Sequence, residues 1–296
     1  MKEFRSEKMP ERFSTRVGYD AWFNNHILPR WGNRNIIAVQ PRPVELWFRT
    51  LPISPKSKVH IRGLLRALWE YSMWRGEIPA QRNPMHLVTI KGATKRQEQP
   101  RSLTVEEFHQ FLAHLDNPVR MIALICVCFG LRISECLALK WSDIDWLKAK
   151  LYVRRSIVRQ RVGDVKTVYS SKAVCIDAEM VALLKVWKQT TPFPDDGDWI
   201  FGSPVKLGRL PVSYPWVWSE FQKAAKTAAI DRLATHSLRH SYRSWLDAVG
   251  TAIAVQQKLM RHSDIRTTLN IYGDVVTNEM AEAHSKIVCL ALPKPS

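Results

Sequence analysis

The stretch HSLRHSYRSWLDAV, residues 236–249, carries two patterns at helical spacing. His236 and Arg239 are three residues apart, which places them on one face of a helix. A second face is apolar and consists of Leu238, Tyr242, Trp245, Leu246 and Val249. The segment is therefore predicted to be a helix whose apolar face packs into a core while its basic face points into a cleft.

A second predicted helix covers residues 119–129, which are almost wholly apolar apart from Arg120. Asn117 is a candidate N-cap, Pro118 suits the first turn, and Gly130 suits the position after the last turn. Because nearly every side of this helix is apolar, it is expected to be buried at the centre of a domain.

The chain upstream of these helices is predicted to form a helical region followed by a linker. Residues 57 to about 74 form the clearest helix of the first hundred residues, with apolar residues at helical spacing on one face. Residues 93–102 are polar and basic and show no apolar periodicity, as expected of a linker between domains. Directly after it, Thr104 and Glu107 have the spacing of a capping box, which predicts the start of another helix.

A change of period marks residues 150–176, which alternate in the manner of strands. A turn is expected at residues 162–164, whose sequence is Val-Gly-Asp. The sequence therefore predicts a mostly α fold with a small antiparallel β-sheet, divided into a helical domain at residues 1–92 and an α+β domain at residues 103–290.

The charge balance of the chain favours a polyanionic partner. The 296 residues include 44 Lys and Arg against 27 Asp and Glu, for a formal net charge of +17. DNA, RNA and an anionic membrane would all suit such a protein. On the helix at residues 57–74, Lys58, Arg62 and Arg66 recur every four residues. This stripe is a candidate DNA-binding face, and a merely solvated face remains the alternative.

The remaining composition indicates an intracellular protein. The five cysteines include no CxxC pair and no Cys/His zinc spacing. No apolar stretch follows the N-terminus, so no secretory signal is visible. The longest apolar run, residues 121–129, is too short to cross a bilayer. A cytoplasmic protein without membrane contact and without a cofactor is expected.

Four segments carry residue types that suit chemistry on a phosphodiester. They read GLRISE at 130–135, KTVYSSKAV at 166–174, HSLRH at 236–240 and LMRHSDIRTTLNIY at 259–272. Their order resembles the conserved boxes of the tyrosine recombinase, or phage integrase, family: an Arg, a hairpin Lys, HxxR, a His, and a Tyr ten residues later. The resemblance extends over roughly residues 15–285.

The resemblance implies a catalytic set that spans all four segments, namely Arg132, Lys166, His236, Arg239, His262 and Tyr272. Tyr272 would be the nucleophile, His236 an acid/base partner, and His262 a hydrogen-bond donor to the attacked phosphate. Lys166 stands at the hairpin position of the family's catalytic lysine, and Lys172 is its rival.

Elementary chemistry explains why these residue types are needed. A phosphodiester repels nucleophiles, and two guanidiniums can hold its non-bridging oxygens and absorb the charge that develops at five-coordinate phosphorus. We assign Arg132 and Arg239 to this role, and Glu135 could orient Arg132 from one turn away. A tyrosine hydroxyl, with an ordinary pKa of about 10, suits a reversible exchange of phosphate esters.

The resemblance also implies an assembly. A helical core-binding domain and a catalytic domain would form a C-shaped clamp around duplex DNA, and four copies would join two DNA sites. Host DNA-bending proteins could assist. The segment after the tyrosine is expected to dock on a neighbouring copy through four apolar residues, Met280, Ile287, Val288 and Leu290.

Two features depart from the family pattern. Met260-Arg261 stands where the family commonly has Leu-Gly before the His, and the sequence alone assigns Arg261 no role. The N-terminal part is also shorter than is usual, which suggests a simpler recombinase or a start further upstream. The alternative functions are a decayed, non-catalytic integrase that only binds DNA and a type IB topoisomerase, which relaxes DNA with a similar residue set.

Overall fold

The computed structural model describes residues 1–93, 101–164, 173–261 and 278–292. The chain splits into two compact units, Met1–Gln99 and Pro100–Ser296. Among the residues described, no helix has the length and apolar character needed to cross a membrane. The roles of a core-binding and a catalytic domain, and the clamp that they would form, stay predictions.

The first unit is helical. Its α-helices are α1 (Lys2–Glu7), α2 (Phe13–Trp22), α3 (Leu28–Trp31), α4 (Pro41–Thr50) and α5 (Pro55–Trp74), with a π-helical turn at Phe23–Ile27 that joins α2 to α3. Helix α5 begins two residues before the predicted start, because the Ser54 hydroxyl accepts a hydrogen bond from the Ser57 amide and caps it. The predicted apolar face of α5 lies in the core of this unit, where Ile61 and Leu65 are almost completely buried.

The second unit contains the remaining helices, which are α6 (Val105–Ala113), α7 (Val119–Cys128), α8 (Ile133–Cys136), α9 (Ala178–Thr190), α10 (Tyr214–Thr227), α11 (Thr235–Ala248), α12 (Ile253–Leu259) and α13 (Asn278–Ala291). Helix α6 has the predicted capping box, in which Thr104 and Glu107 bond to each other's backbone amides. Helix α7 is the predicted central helix, since every residue in it except Arg120 is buried. The expectation that Asn117 caps α7 is wrong, because Pro118 occupies the N-cap position.

The strands of the second unit are β1 (Ile144–Asp145), β2 (Lys150–Tyr152), β3 (Arg155–Val158), β4 (Arg161–Asp164) and β5 (Ala173–Cys175). They form an antiparallel sheet in the order β1-β2-β5 and a separate β3-β4 hairpin. Leu151 pairs with Ile144 on one side and Val174 on the other, which turns three apolar residues toward the core. The prediction of a mostly α fold with a small antiparallel sheet is confirmed.

The turn of the β3-β4 hairpin lies three residues earlier than predicted. Arg159 and Gln160 both have positive φ, of 50° and 60°, as a two-residue hairpin turn requires. Gly163 lies within β4, opposite Ser156, so residues 162–164 belong to a strand. The earlier turn lets Ile157 pair with Val162 across the hairpin.

Helix α11 packs against α7, and it is also held by Leu103, just before α6, and by a close contact with Gly130, just after α7. The Leu103 amide donates to the Ser241 hydroxyl at 2.7 Å, and the Trp245 indole donates to the Leu103 carbonyl at 3.0 Å. Gly130 has a φ of +58°, and a Cβ there would lie 2.4 Å from a ring carbon of Tyr242. Only glycine therefore allows the chain to turn here and α11 to approach so closely.

Helix α13 packs against α6, α7, α11 and α12 of its own chain. Ile287 and Val288 are fully buried in this position, and His284 is 2% exposed. Its ring stacks on Tyr242, and its Nδ1 lies 3.3 Å from the Cys128 carbonyl oxygen. Ile287 and Val288 are thus covered within their own chain, whereas Met280 and Leu290 are half-buried. Docking of this segment on a neighbouring copy stays a prediction.

Candidate active site

Arg132 opens the site directly before helix α8. Its guanidinium Nη1 donates to Glu135 Oε1 at 2.7 Å, and its backbone amide donates to Glu135 Oε2 at 3.1 Å. The carboxylate therefore fixes both the side chain and the start of the helix. The Arg132 side chain keeps 25% of its surface exposed, whereas the Glu135 side chain keeps 2%. The buried Glu135 thus orients Arg132 from the interior of the protein and leaves part of the guanidinium open to a ligand.

Arg239 lies on the first turns of α11 and is only 4% exposed. Its two terminal nitrogens donate to the carbonyl oxygens of Gly130 and Met260, which follow α7 and α12. Burial lowers the pKa of Arg239 to about 9, with smaller contributions from the charges of Arg132 and Arg261. The guanidinium is still charged at neutral pH, so a buried cation lies next to Arg132.

His236 occupies the same face of α11 one turn earlier. Although its side chain reaches solvent, partial burial lowers its pKa, and the charges of Arg239 and Arg132 lower it further. Because its pKa is lowered from the ordinary value, the His236 imidazole is neutral at pH 7 and can accept or donate a proton. The structure thus brings Arg132, His236 and Arg239 into one electrostatically coupled group, as the family resemblance implies.

Arg261 is the member of this group that the sequence did not identify. Its side chain is 1% exposed, and its Nη2 donates to Glu135 Oε2 at 3.0 Å. Burial alone would raise the pKa of Glu135, but the charges of Arg261 and Arg132 outweigh it and hold that pKa below its ordinary value. Glu135 is therefore an ionised carboxylate between two guanidiniums. The one signal in the sequence was the departure from Leu-Gly at residues 260–261.

Comparison with known proteins decides the family. The model of the phage integrase family matches residues 101–279 of this chain, which is more than half of its length. The chain belongs to the phage integrase family. Its members are tyrosine recombinases, a class of site-specific recombination enzymes.

Relatives and solved structures of this family resemble most of the chain. A putative prophage phiRv2 integrase of Mycobacterium tuberculosis is 25% identical over 256 residues, which is 84% of this chain and 67% of that protein. The fold is similar to the Tn1549 transposon integrase in complex with a circular intermediate DNA, with a TM-score of 0.71, 20% identity and 96% of each chain covered. It is also similar to a lambda integrase tetramer bound to a Holliday junction, with a TM-score of 0.66, 17% identity, and 92% of this chain and 78% of that chain covered.

Half of the catalytic set that this tyrosine recombinase is expected to use lies outside the described residues. These three residues are Lys166, His262 and Tyr272, and Lys172, the rival of Lys166, also lies outside the described residues. Their roles stay predictions, and so does the choice between the two lysines. Within the described ranges, no three His, Cys, Asp or Glu side chains are grouped so that they could hold a metal ion.

Two of the three residues in the basic stripe of the first unit have partners within the protein. Arg62 Nη1 donates to the Val88 carbonyl at 2.9 Å, and Arg66 Nε lies 2.7 Å from the Glu70 carboxylate. Lys58 is half-buried on the same helix, α5. Arg62 thus helps to hold the chain after α5 in place, while DNA binding by these three residues stays a prediction.

Proposed function

We propose that this phage integrase family member is a site-specific DNA recombinase that cleaves and rejoins strands through a 3′-phosphotyrosine bond to Tyr272. Its biological role would be the integration or excision of a phage or another mobile element. The observation that carries the proposal is the coupled group of Arg132, His236 and Arg239, in which two charged guanidiniums lie beside a neutral imidazole. This is the arrangement that an anionic, five-coordinate phosphorus requires.

The first step is the binding of the scissile phosphate. Arg132 has a partly open guanidinium that can donate to one non-bridging oxygen. Arg239 is held by two backbone carbonyls, so its charge stays in one place while the negative charge on the phosphate grows. A preorganised cation of this kind needs no rearrangement during the reaction.

The second step is the exchange of esters. The Tyr272 oxygen attacks phosphorus and forms a new bond to it, while the bond from phosphorus to the 5′-oxygen breaks. The phosphate keeps its bond to the 3′-oxygen of its strand and so links that strand to the tyrosine. Lys166 would give its proton to the departing 5′-oxygen, while His236 handles the proton of the tyrosine. Attack by a 5′-hydroxyl on the phosphotyrosine reverses the step and reseals the strand. The bond energy is conserved, so no nucleotide is consumed.

The substrate would be duplex DNA held by both units, with four copies on two recombining sites. Two facts support this: the net charge of +17, and the similarity to a lambda integrase tetramer bound to a Holliday junction. The polyanion would be bound mainly through its phosphates, so affinity should fall steeply as salt rises. Host DNA-bending proteins would be further partners.

Covalent trapping tests the proposal. The full chain is incubated with nicked duplexes from the DNA that flanks its gene, so that a short cleaved strand diffuses away and the intermediate accumulates. We expect a protease-sensitive band on denaturing gels for the wild type and none for Tyr272→Phe, which keeps the ring and removes only the attacking oxygen.

Each other outcome refutes part of the proposal. Native complexes without a covalent band would indicate a decayed integrase that only binds DNA. A covalent band together with relaxation of supercoiled DNA, but without recombinant products from two sites, would favour a topoisomerase. Equal covalent yield for Tyr272→Phe would mean that the nucleophile is another residue.

A further inference from the structure

The carboxylate of Glu135 is shared between two arginines from distant parts of the chain. Its Oε1 accepts from Arg132 at 2.7 Å, and its Oε2 accepts from Arg261 at 3.0 Å and from the Arg132 amide at 3.1 Å. Both carboxylate oxygens are therefore fixed, and Glu135 cannot rotate away from Arg132 while Arg261 is in place.

The charges in this cluster have a simple consequence. Arg132 and Glu135 alone form a neutral pair, so the carboxylate would cancel much of the attraction of Arg132 for a phosphate. Arg261 binds the other carboxylate oxygen and restores one positive charge. Together with Arg239, the cluster holds three guanidiniums and one carboxylate, for a formal charge of +2. A phosphodiester carries one negative charge, and its five-coordinate transition state carries two.

Arg261 exerts this effect from inside the protein. With 1% of its side chain exposed, it is covered by other protein atoms and acts through Glu135. It also adopts a φ of +49°, in the left-handed region where a glycine would be relaxed and an arginine is strained. Among the described residues, its Nε and Nη1 have no hydrogen-bond partner. A side chain that served stability alone would be a poor choice here, because apolar residues commonly replace buried ion pairs without loss.

We propose that Arg261 is a positioning residue of the recombinase, which holds Glu135 so that Arg132 presents an uncompensated positive charge to the scissile phosphate. The inference rests on the proposed function, and it adds a residue that neither the motif set nor the chemistry of the tyrosine requires. It predicts that loss of Arg261 slows strand cleavage far more than it weakens DNA binding.

The experiment compares single-turnover cleavage of the nicked duplex by wild type, Arg261→Met, Arg261→Gly and Arg261→Lys at saturating protein. A first-order rate constant for bound DNA does not depend on the fraction of protein that is folded. We expect a loss of about 10- to 100-fold for the Met and Gly variants, because a displaced Arg132 no longer meets the phosphate correctly. Binding in gel shifts should change by less than about threefold. Lys keeps the charge, and Arg261 bonds Glu135 through one nitrogen only, so Arg261→Lys should recover most of the rate.

Two variants test whether backbone strain or a general loss of charge explains a slower cleavage rate. Arg261→Gly removes the guanidinium and relaxes the backbone at once, so a loss of rate there cannot come from strain at a positive φ. Lys185→Met removes one charge from an exposed position on α9 and should cleave at the wild-type rate. If it slowed cleavage as much as Arg261→Met, general loss of charge would explain the data and the proposal would be wrong.

A substrate with a neutral methylphosphonate at the scissile position separates electrostatics from structure. Because this group lacks one negative oxygen, it needs less positive charge in the transition state. The ratio of wild-type to Arg261→Met rates should fall to within about threefold on it, whereas a purely structural defect would slow both substrates equally. Wild-type rates for Arg261→Met on the phosphate would overturn the inference, while absence of covalent product in wild type would instead refute the proposed function.

Discussion

Gly130 offers the sharpest test of how the site is built, because the same unit contains a matched glycine at position 250. Gly130 and Gly250 have φ values of +58° and +72°, and they follow α7 and α11 respectively. A Cβ at Gly130 would lie 2.4 Å from a ring carbon of Tyr242, whereas a Cβ at Gly250 would meet nothing within 4 Å. Substitution by alanine would thus strain the backbone at both positions, but only at Gly130 would it also create a steric clash.

The expected costs follow from these two terms. A left-handed conformation costs an alanine about 1–2 kcal/mol, so Gly250→Ala should lower the free energy of unfolding by that amount. Overpacking against a fully buried Tyr242 adds about 1–3 kcal/mol, so Gly130→Ala should lose about 2–5 kcal/mol in total. Tyr242 has little room to move, because it is fully buried and its ring also stacks on His284.

Urea unfolding, followed by far-ultraviolet circular dichroism, measures both variants against the wild type. Gly130→Ala should also reduce strand cleavage in the protein that remains folded, because the Gly130 carbonyl accepts a hydrogen bond from Arg239. Gly250→Ala should cleave at the wild-type rate. Equal losses of stability in the two variants would refute the argument from the Tyr242 contact.

Two further predictions concern pH and salt. Burial lowers the pKa of His284 to about 4, below the ordinary value of about 6.5, so the unfolded chain binds a proton that the folded protein excludes between these values. The free energy of unfolding should therefore be greatest above pH 6.5 and fall as the pH drops toward 4. Chemical denaturation across this range should show a weaker dependence of that free energy on pH in His284→Phe. The same dependence on pH in the variant and the wild type would refute the role given to His284. If Lys58 contacts a phosphate, Lys58→Gln should reduce the slope of the logarithm of the DNA association constant against the logarithm of salt concentration by about 0.9, with no change in the free energy of unfolding. An unchanged slope would mean that Lys58 is only solvated.

Local patterns predicted the helices because their signals lie within a few residues. The capping box at Thr104 and Glu107, the apolar run of α7 and the two faces of α11 all appear in the structure. The hairpin turn was misplaced because Gly163 and Asp164 have stronger turn chemistry than Arg159 and Gln160. The pairing of Ile157 with Val162 decided the register instead, and that is a contact across strands.

The site was predictable only as far as its contacts are local. The pairing of Arg132 with Glu135 follows from a spacing of three residues. The anchoring of Arg239 depends on carbonyls 109 and 21 residues away, and the bond from Arg261 to Glu135 spans 126 residues. No spacing rule reports such contacts, which is why Arg261 stood out in the sequence only as a departure from a family pattern.

The buried charges also indicate which kind of ligand the site would bind. Arg132, Arg239 and Arg261 repel one another, and burial together with this repulsion lowers the pKa of Arg239 to about 9 and also lowers that of Arg261. One carboxylate, Glu135, offsets only part of this charge. A phosphate anion bound between Arg132 and Arg239 would reduce the repulsion between the guanidiniums. The reduction would grow as negative charge develops on phosphorus. Under the proposed mechanism, the cluster would therefore bind the transition state, with its two negative charges, more tightly than the substrate phosphate with one, which is the condition for catalysis by differential binding.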